Sequence, residues 1–135
     1  MKRSYASAAT WKIMGRHYAA AMPVIVGVAL GGALGASARY LLDRAIDTSG
    51  PFPWSTFLVN VSGCFLIGLL AARLGGPAWL RVGVVVGVLG GYTTFSAFGA
   101  QTLTLLEDDR IAVALLYATA SVVVGVLAVW LGRAL

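Results

Sequence analysis

The stretch GGYTTFSAF, residues 90 to 98, decides how this chain is read. It lies in the middle of a long apolar run, yet it holds a Gly-Gly pair, two threonines, a serine and two phenylalanines. Glycine and β-branched residues are weak helix formers. The pattern predicts a membrane helix broken near the bilayer midplane, since Gly90 is about eleven residues into its span at 1.5 Å of rise per residue. Such a break frees carbonyls and amides, which is tolerable only where they are buried in protein or line a cavity or ion site. Freed carbonyls suit a hard cation such as Na⁺. Freed amides and the N-terminus of the restarted helix suit an anion.

The rest of the chain supports a membrane setting. Of its 135 residues, 59% are hydrophobic and only 11% charged, against roughly 25% charged in a soluble domain. Too few polar side chains remain to cover a soluble surface. The 17 glycines fit helices that approach one another closely in lipid. The net charge of +5 is a tail effect, because Lys2, Arg3, Lys12 and Arg16 all precede the first apolar segment. It implies contact with membrane lipid and no nucleic-acid partner. Cys64 is the single cysteine, which excludes an intrachain disulfide. The first apolar run has no small-residue cleavage site before Arg39, so no secretory signal peptide is expected.

Apolar runs of about 20 residues predict four spans. They cover about Pro23 to Leu42, Trp54 to Ala72, Trp79 to Leu106 and Ile111 to Leu131, with Pro23 placed in a first helical turn. The breaks are DRAIDTSGPFP, RLGGPAWLR and EDDR. Trp54, Trp79 and Trp130 fall at span ends, as an interfacial belt requires. Four spans place both termini on one side. The basic residues favour cytoplasmic termini, but without residues 1–21 the count is three against three: Arg73, Arg81 and Arg133 versus Arg39, Arg44 and Arg110. A core so balanced can insert both ways round. Met22 opens a second possible start, so residues 1–21 read as a basic extension, disordered or not native, and residues 22–135 as one four-helix domain.

Polar residues inside spans are functional candidates by default. No Asp, Glu, Lys or His lies deep in any span, which argues against proton-coupled transport. Arg39, near the end of the first span, either snorkels beside Asp43 or gathers anions at a mouth. Asn60 either makes an interhelical hydrogen bond or serves a pathway, and spacing alone favours neither. Tyr117 and Ser121 share a helical face, although a lone serine commonly bonds back to its own helix. Glycines 27, 31 and 35, and again 83, 87 and 91, mark faces for close helix packing. Phe95 and Phe98 share a face of the restarted helix, and their ring edges carry positive partial charge. Ring edges, amide hydrogens and hydroxyls can receive a small dehydrated anion without a fixed cation to trap it. Packed apolar bulk is the plainer reading of the two rings.

GGALGASARY (31–40), STFLVNVSGCFLIG (55–68) and GVLGGYTTFSAF (87–98), followed by the acidic turn in LLEDDR, resemble the bacterial fluoride channel family of the CrcB or Fluc type. The resemblance covers about residues 27 to 131. It implies an all-α membrane protein with the third of four helices broken, assembled as a dual-topology antiparallel homodimer with two fluoride pores in the bacterial inner membrane. It implies a structural Na⁺ on the main-chain carbonyls of Gly90 and Thr93. It places Asn60, Thr94, Phe95, Ser96, Phe98, Tyr117 and Ser121 along the fluoride path, and Arg39 near an aqueous vestibule. Ala97 replaces a usual Ser or Thr, and Gln101 replaces a Glu that many members carry. The amide removes a negative charge but still hydrogen-bonds. The implied activity is passive fluoride export that relieves toxicity, with no enzymatic step. A small dual-topology drug exporter would need a carboxylate within the first span, which is absent. A structural four-helix protein would explain the glycines but not the clustered break, Asn and phenylalanines.

Overall fold

The computed structural model describes residues 8–46, 49–71 and 73–135, with side chains from residue 21 onward. Among the described residues, six α-helices and one π-helical segment make four stretches long and apolar enough to cross a bilayer: Ala21–Ala45, Trp54–Ala71, Ala78–Glu107 and Ile111–Ala134. The first belongs to α1, Ala8–Ala45, which is 38 residues long. At 1.5 Å per residue this is about 57 Å, well beyond a hydrocarbon core of about 30 Å. Pro23 therefore lies inside a helix rather than in its first turn. Residues 8–21 of the expected extension continue that helix, and residues 1–7 lie outside the described residues.

Helix α2, Trp54–Ala71, starts beyond Pro51 and Pro53, which cannot donate to a helical ladder. The third span is composite: α3 (Ala78–Val82), a π-helical segment (Gly83–Leu89), α4 (Gly90–Tyr92) and α5 (Phe95–Glu107). A tight turn, with Asp109 at φ 58°, then leads into α6, Ile111–Ala134. Aspartate is one of the few side chains that tolerates this left-handed backbone. Trp54, Trp79 and Trp130 sit near helix ends and are 48%, 47% and 68% exposed, as the interfacial reading expects.

The break is not at the glycines. Gly90 and Gly91 are helical, whereas Thr93 (φ −77°, ψ 158°) and Thr94 (φ −149°, ψ 119°) are extended. Branched Cβ atoms favour this conformation, so the threonines take the bend. The glycines serve proximity instead. A Cβ on Gly91 would stand 2.6 Å from the carbonyl oxygen of Gly32, and one on Gly87 would stand 2.9 Å from that of Val28. A Cβ on Gly31 would collide with the Gly83 carbonyl. Thus α1 lies backbone to backbone along the third span, as the two glycine series predict. Helices α2 and α6 pair in the same way, with Gly68 against Val129 and Gly132 against Phe65. Lipid supplies little drive for apolar faces to associate, so such close backbone packing supplies much of it.

Gly91→Ala is expected to cost about 1–3 kcal/mol, the usual penalty of overpacking. Gly50→Ala is the control, because a Cβ there meets nothing within 4 Å. Thermal unfolding in detergent should separate the two; equal midpoints would show that Gly91 does not serve close packing.

Candidate functional site

The broken third span, α2 and α6 form the wall of a cavity of about 340 Å³. Asn60, Gly90, Thr93, Thr94, Phe95, Phe98 and Ser121 all contribute to its lining. Seven residues singled out from sequence therefore meet at one site. Ser96, Tyr117 and Arg39 are not part of that lining.

Asn60 faces the break directly. Its Oδ1 accepts from the Thr94 N–H at 2.8 Å, and its Nδ2 donates to the Thr94 carbonyl at 3.0 Å. An extended residue directs its N–H and C=O to the same side, and a carboxamide carries one acceptor and one donor side by side to meet them. Two further contacts hold the same segment. The Tyr92 and Ser62 hydroxyls lie 2.9 Å apart, and Gly63 leaves room for the Thr93 methyl, which a Cβ would strike.

The break changes where backbone groups point. In a continuous helix the Thr94 N–H would bond the Gly90 carbonyl, and the Ala97 N–H would bond that of Thr93. Here the first goes to Asn60, and the second goes to Thr94 Oγ1 at 3.2 Å. Both carbonyls lose those ladder donors, so the residues present fit a hard cation held by main-chain oxygens. Thr94 Oγ1 meanwhile caps α5, whose N-terminal dipole end suits an anion. It also lies 3.2 Å from Ser96 Oγ, which is exposed.

Phe95 is 82% exposed. Its ring centroid lies 5.4 Å from that of Phe98, which lies 5.2 Å from that of Tyr117. Tyr117 is fully buried, so the row runs from the open cavity into the packed end of the bundle. Ser121 Oγ is buried without a hydrogen-bond partner among the described residues. The expectation that it bonds back to its own helix is therefore not met.

Sequence reading did not single out Thr56, and the hydrogen-bonding expected of the Gln101 amide is present. Tyr117 donates to Gln101 Oε1 at 2.9 Å, and Gln101 Nε2 donates to Thr56 Oγ1 at 3.0 Å. Thr56 lies four residues before Asn60, so helical spacing could have placed both on one face. Gln101 also lines a second cavity of about 380 Å³ with Pro51, Pro53, Thr104, Asp108 and Arg110. The cation in its lining is Arg110. Arg39 is half-buried, lines neither cavity and forms no ion pair with Asp43, whose Oδ1 instead accepts from Ser55 Oγ at 2.5 Å.

Gln101→Leu should lower stability by about 1–3 kcal/mol, because it strands the buried Tyr117 hydroxyl. Gln101→Glu keeps an acceptor for Tyr117 and should cost less. Thermal midpoints of the two variants check the order.

Comparison with known proteins bears on this site. Residues 26–133 match the family described as CrcB-like protein, Camphor Resistance (CrcB). The fluoride-specific ion channel FluC of Novosphingobium aromaticivorans is 49% identical over 112 residues, covering 78% of this chain and 89% of the relative. That of Rhizobium meliloti is 47% identical over 117 residues, covering 82% and 94%. That of Thermus thermophilus is 48% identical over 112 residues, covering 78% and 87%.

Proposed function

We propose that this chain, which belongs to the CrcB-like family of fluoride channels, pairs with an antiparallel second copy and conducts fluoride along the wall bearing Phe95, Phe98 and Ser121. It is an integral membrane protein and a fluoride-specific ion channel, not an enzyme, and fluoride export with relief of toxicity follows from the family. One observation carries the assembly: in the membrane-spanning part of one chain, Phe95 is 82% exposed beside an open-sided, mainly apolar cavity whose wall also holds Asn60 and the Thr93–Thr94 break. Exposed polar backbone and hydroxyls cannot face hydrocarbon without cost, so a protein surface must close that side.

Charge at the two ends fits an antiparallel partner. Among the described residues, one end carries Arg39, Arg44 and Arg110 with Asp43, Glu107, Asp108 and Asp109; the other carries Arg73, Arg81 and Arg133 with no acidic residue. Opposed copies bring the acidic end of one beside the basic end of the other. Exposed charges contribute modestly, so this biases orientation and does not hold the pair together.

Fluoride is met by groups of weak individual pull: ring edges of Phe95 and Phe98, the hydroxyls of Ser121, Thr94 and Ser96, the α5 N-terminus, and the Tyr117 end of the aromatic row. Asn60 belongs to the same wall. No Lys or Arg stands deep in a span, so a dehydrated anion meets no cationic side chain there that would trap it. Na⁺ at the carbonyls of Gly90 and Thr93 would supply a fixed positive charge at the break; those oxygens have lost the donors of a continuous helix. In the bacterial inner membrane, a negative interior drives the anion outward with about 2.3 kcal/mol per charge per 100 mV. No proton carrier is required.

Fluoride efflux from proteoliposomes tests the function, with chloride efflux much slower in the same vesicles. Comparable rates for the two anions would sink the channel reading. Phe95→Ile and Phe98→Ile keep apolar bulk and remove ring edges, so each should slow fluoride while leaving a folded assembly. Normal flux in both would make the rings packing residues.

Orientation has its own test. Labelling Ser49→Cys in a Cys64→Ala background should, for residues 22–135 alone, reach about equal fractions from the two membrane faces. A one-sided result would exclude an antiparallel homodimer. The four basic side chains of residues 1–21 should bias insertion when present.

A further inference from the structure

We infer that Asn60 is a positioning residue that decides whether the third span is broken or continuous, acting on fluoride through Thr94 and not as an anion ligand. The inference rests on the channel reading above and concerns the same wall. Its ground is how the polar groups of Asn60 are used. Oδ1 takes the Thr94 N–H at 2.8 Å, and one Nδ2 hydrogen goes to the Thr94 carbonyl at 3.0 Å. Two of the bonds a carboxamide can make are thus committed to a single extended residue.

The alternative backbone state is easily drawn. Without the Asn60 acceptor, the Thr94 N–H has the Gly90 carbonyl available four residues back. The Ala97 N–H likewise has the Thr93 carbonyl. Taking both bonds would close the third span into one helix. In lipid that closure is the default, because an unsatisfied amide costs several kcal/mol there. Asn60 offers the Thr94 amide an equivalent bond, so the break carries no unsatisfied donor.

Three features of the site depend on that choice. The Gly90 carbonyl stays clear of Thr94. Thr94 Oγ1 is free to cap α5, as it does through the Ala97 N–H. The first residue of α5, Phe95, keeps its place on the open side of the cavity. Neighbours on α2 reinforce the same state through the Ser62–Tyr92 contact and the space left by Gly63. Thr93 Oγ1 bonds back to the Leu89 carbonyl at 2.9 Å, anchoring the residue before the clamp. A carboxylate at position 60 has no donor for the Thr94 carbonyl, and an aliphatic residue has neither partner. The amide is the side chain that fits both.

The test compares the full wild-type chain with Asn60→Ala in the assembled, detergent-solubilised protein and in proteoliposomes. Thr94 ¹³Cα and ¹³Cβ chemical shifts separate extended from helical backbone. They should move from the extended toward the helical range in Asn60→Ala, with fluoride flux reduced about tenfold or more, the scale on which small misplacements of positioned groups act. Unchanged Thr94 shifts overturn the inference, whatever the flux. Helical Thr94 shifts with undiminished flux overturn it as well. Should Asn60→Ala fail to assemble, the wild-type protein decides through a fluoride titration followed on the Asn60 side-chain amide resonances. No saturable shift is expected for an amide engaged with Thr94, and a saturable one makes Asn60 a ligand and overturns the inference. Absence of fluoride flux in the wild type would instead fail the channel reading, which these shifts do not test.

Discussion

The pair of hydrogen bonds between the Asn60 side chain and the Thr94 backbone reconciles a broken helix with a solvent that offers no hydrogen bonds. In water a helix break needs no partner, because solvent takes up the freed groups. In hydrocarbon each orphaned amide or carbonyl is a penalty of several kcal/mol, so a break survives only where protein replaces the ladder. Asn60 serves the amide, Thr94 Oγ1 serves the next helix, and Ser62 and Gly63 fit the intervening side chains. The carbonyls left over are oriented dipoles near the middle of the span.

Around that clamp, the molecule separates packing from function by helix face. Glycine series let α1 lie along the third span, and α2 along α6, at backbone contact. Such contact is rigid because neither side has flexible side chains with which to adjust. The opposite tendency appears on the cavity side, where Gly90 has nothing within 4 Å of a Cβ position and Phe95 stands open. A chain that packs closely on one face and leaves polar groups uncovered on another is incomplete in lipid. That incompleteness is the physical argument for a second copy.

The two ends of the aromatic row differ in the same sense. Phe95 is exposed, while Tyr117 is enclosed among Phe52, Phe98, Leu105 and Ala114, with its hydroxyl spent on Gln101. Gln101 borders the second cavity and holds the tyrosine that backs the aromatic row of the first. An amide at position 101 serves both ends of the hydrogen-bonded chain Thr56–Gln101–Tyr117, accepting from the tyrosine and donating to the threonine.

Much of this was legible in one dimension. Four spans, their tryptophan ends and the glycine faces follow from hydropathy, amphipathic preference and fourfold spacing, all local properties. So does the conclusion that the stretch from 90 to 98 interrupts a helix. Local properties did not locate the interruption: glycine suggested flexibility, but glycines 87 and 91 are occupied with α1, and the branched threonines carry the extended backbone. The helix reaching back through Pro23, the Asp43–Ser55 bond in place of an Arg39–Asp43 pair, and the use of Asn60 on Thr94 were equally hidden. Each joins residues distant in sequence, or sets one favourable partner against another, and only the packed chain states which partner is within reach. The sequence by itself determined that a polar, broken segment sits in the membrane. Tertiary structure alone decided where it bends and what holds it, because a hydrogen bond in lipid goes to whichever group the fold brings within 3 Å.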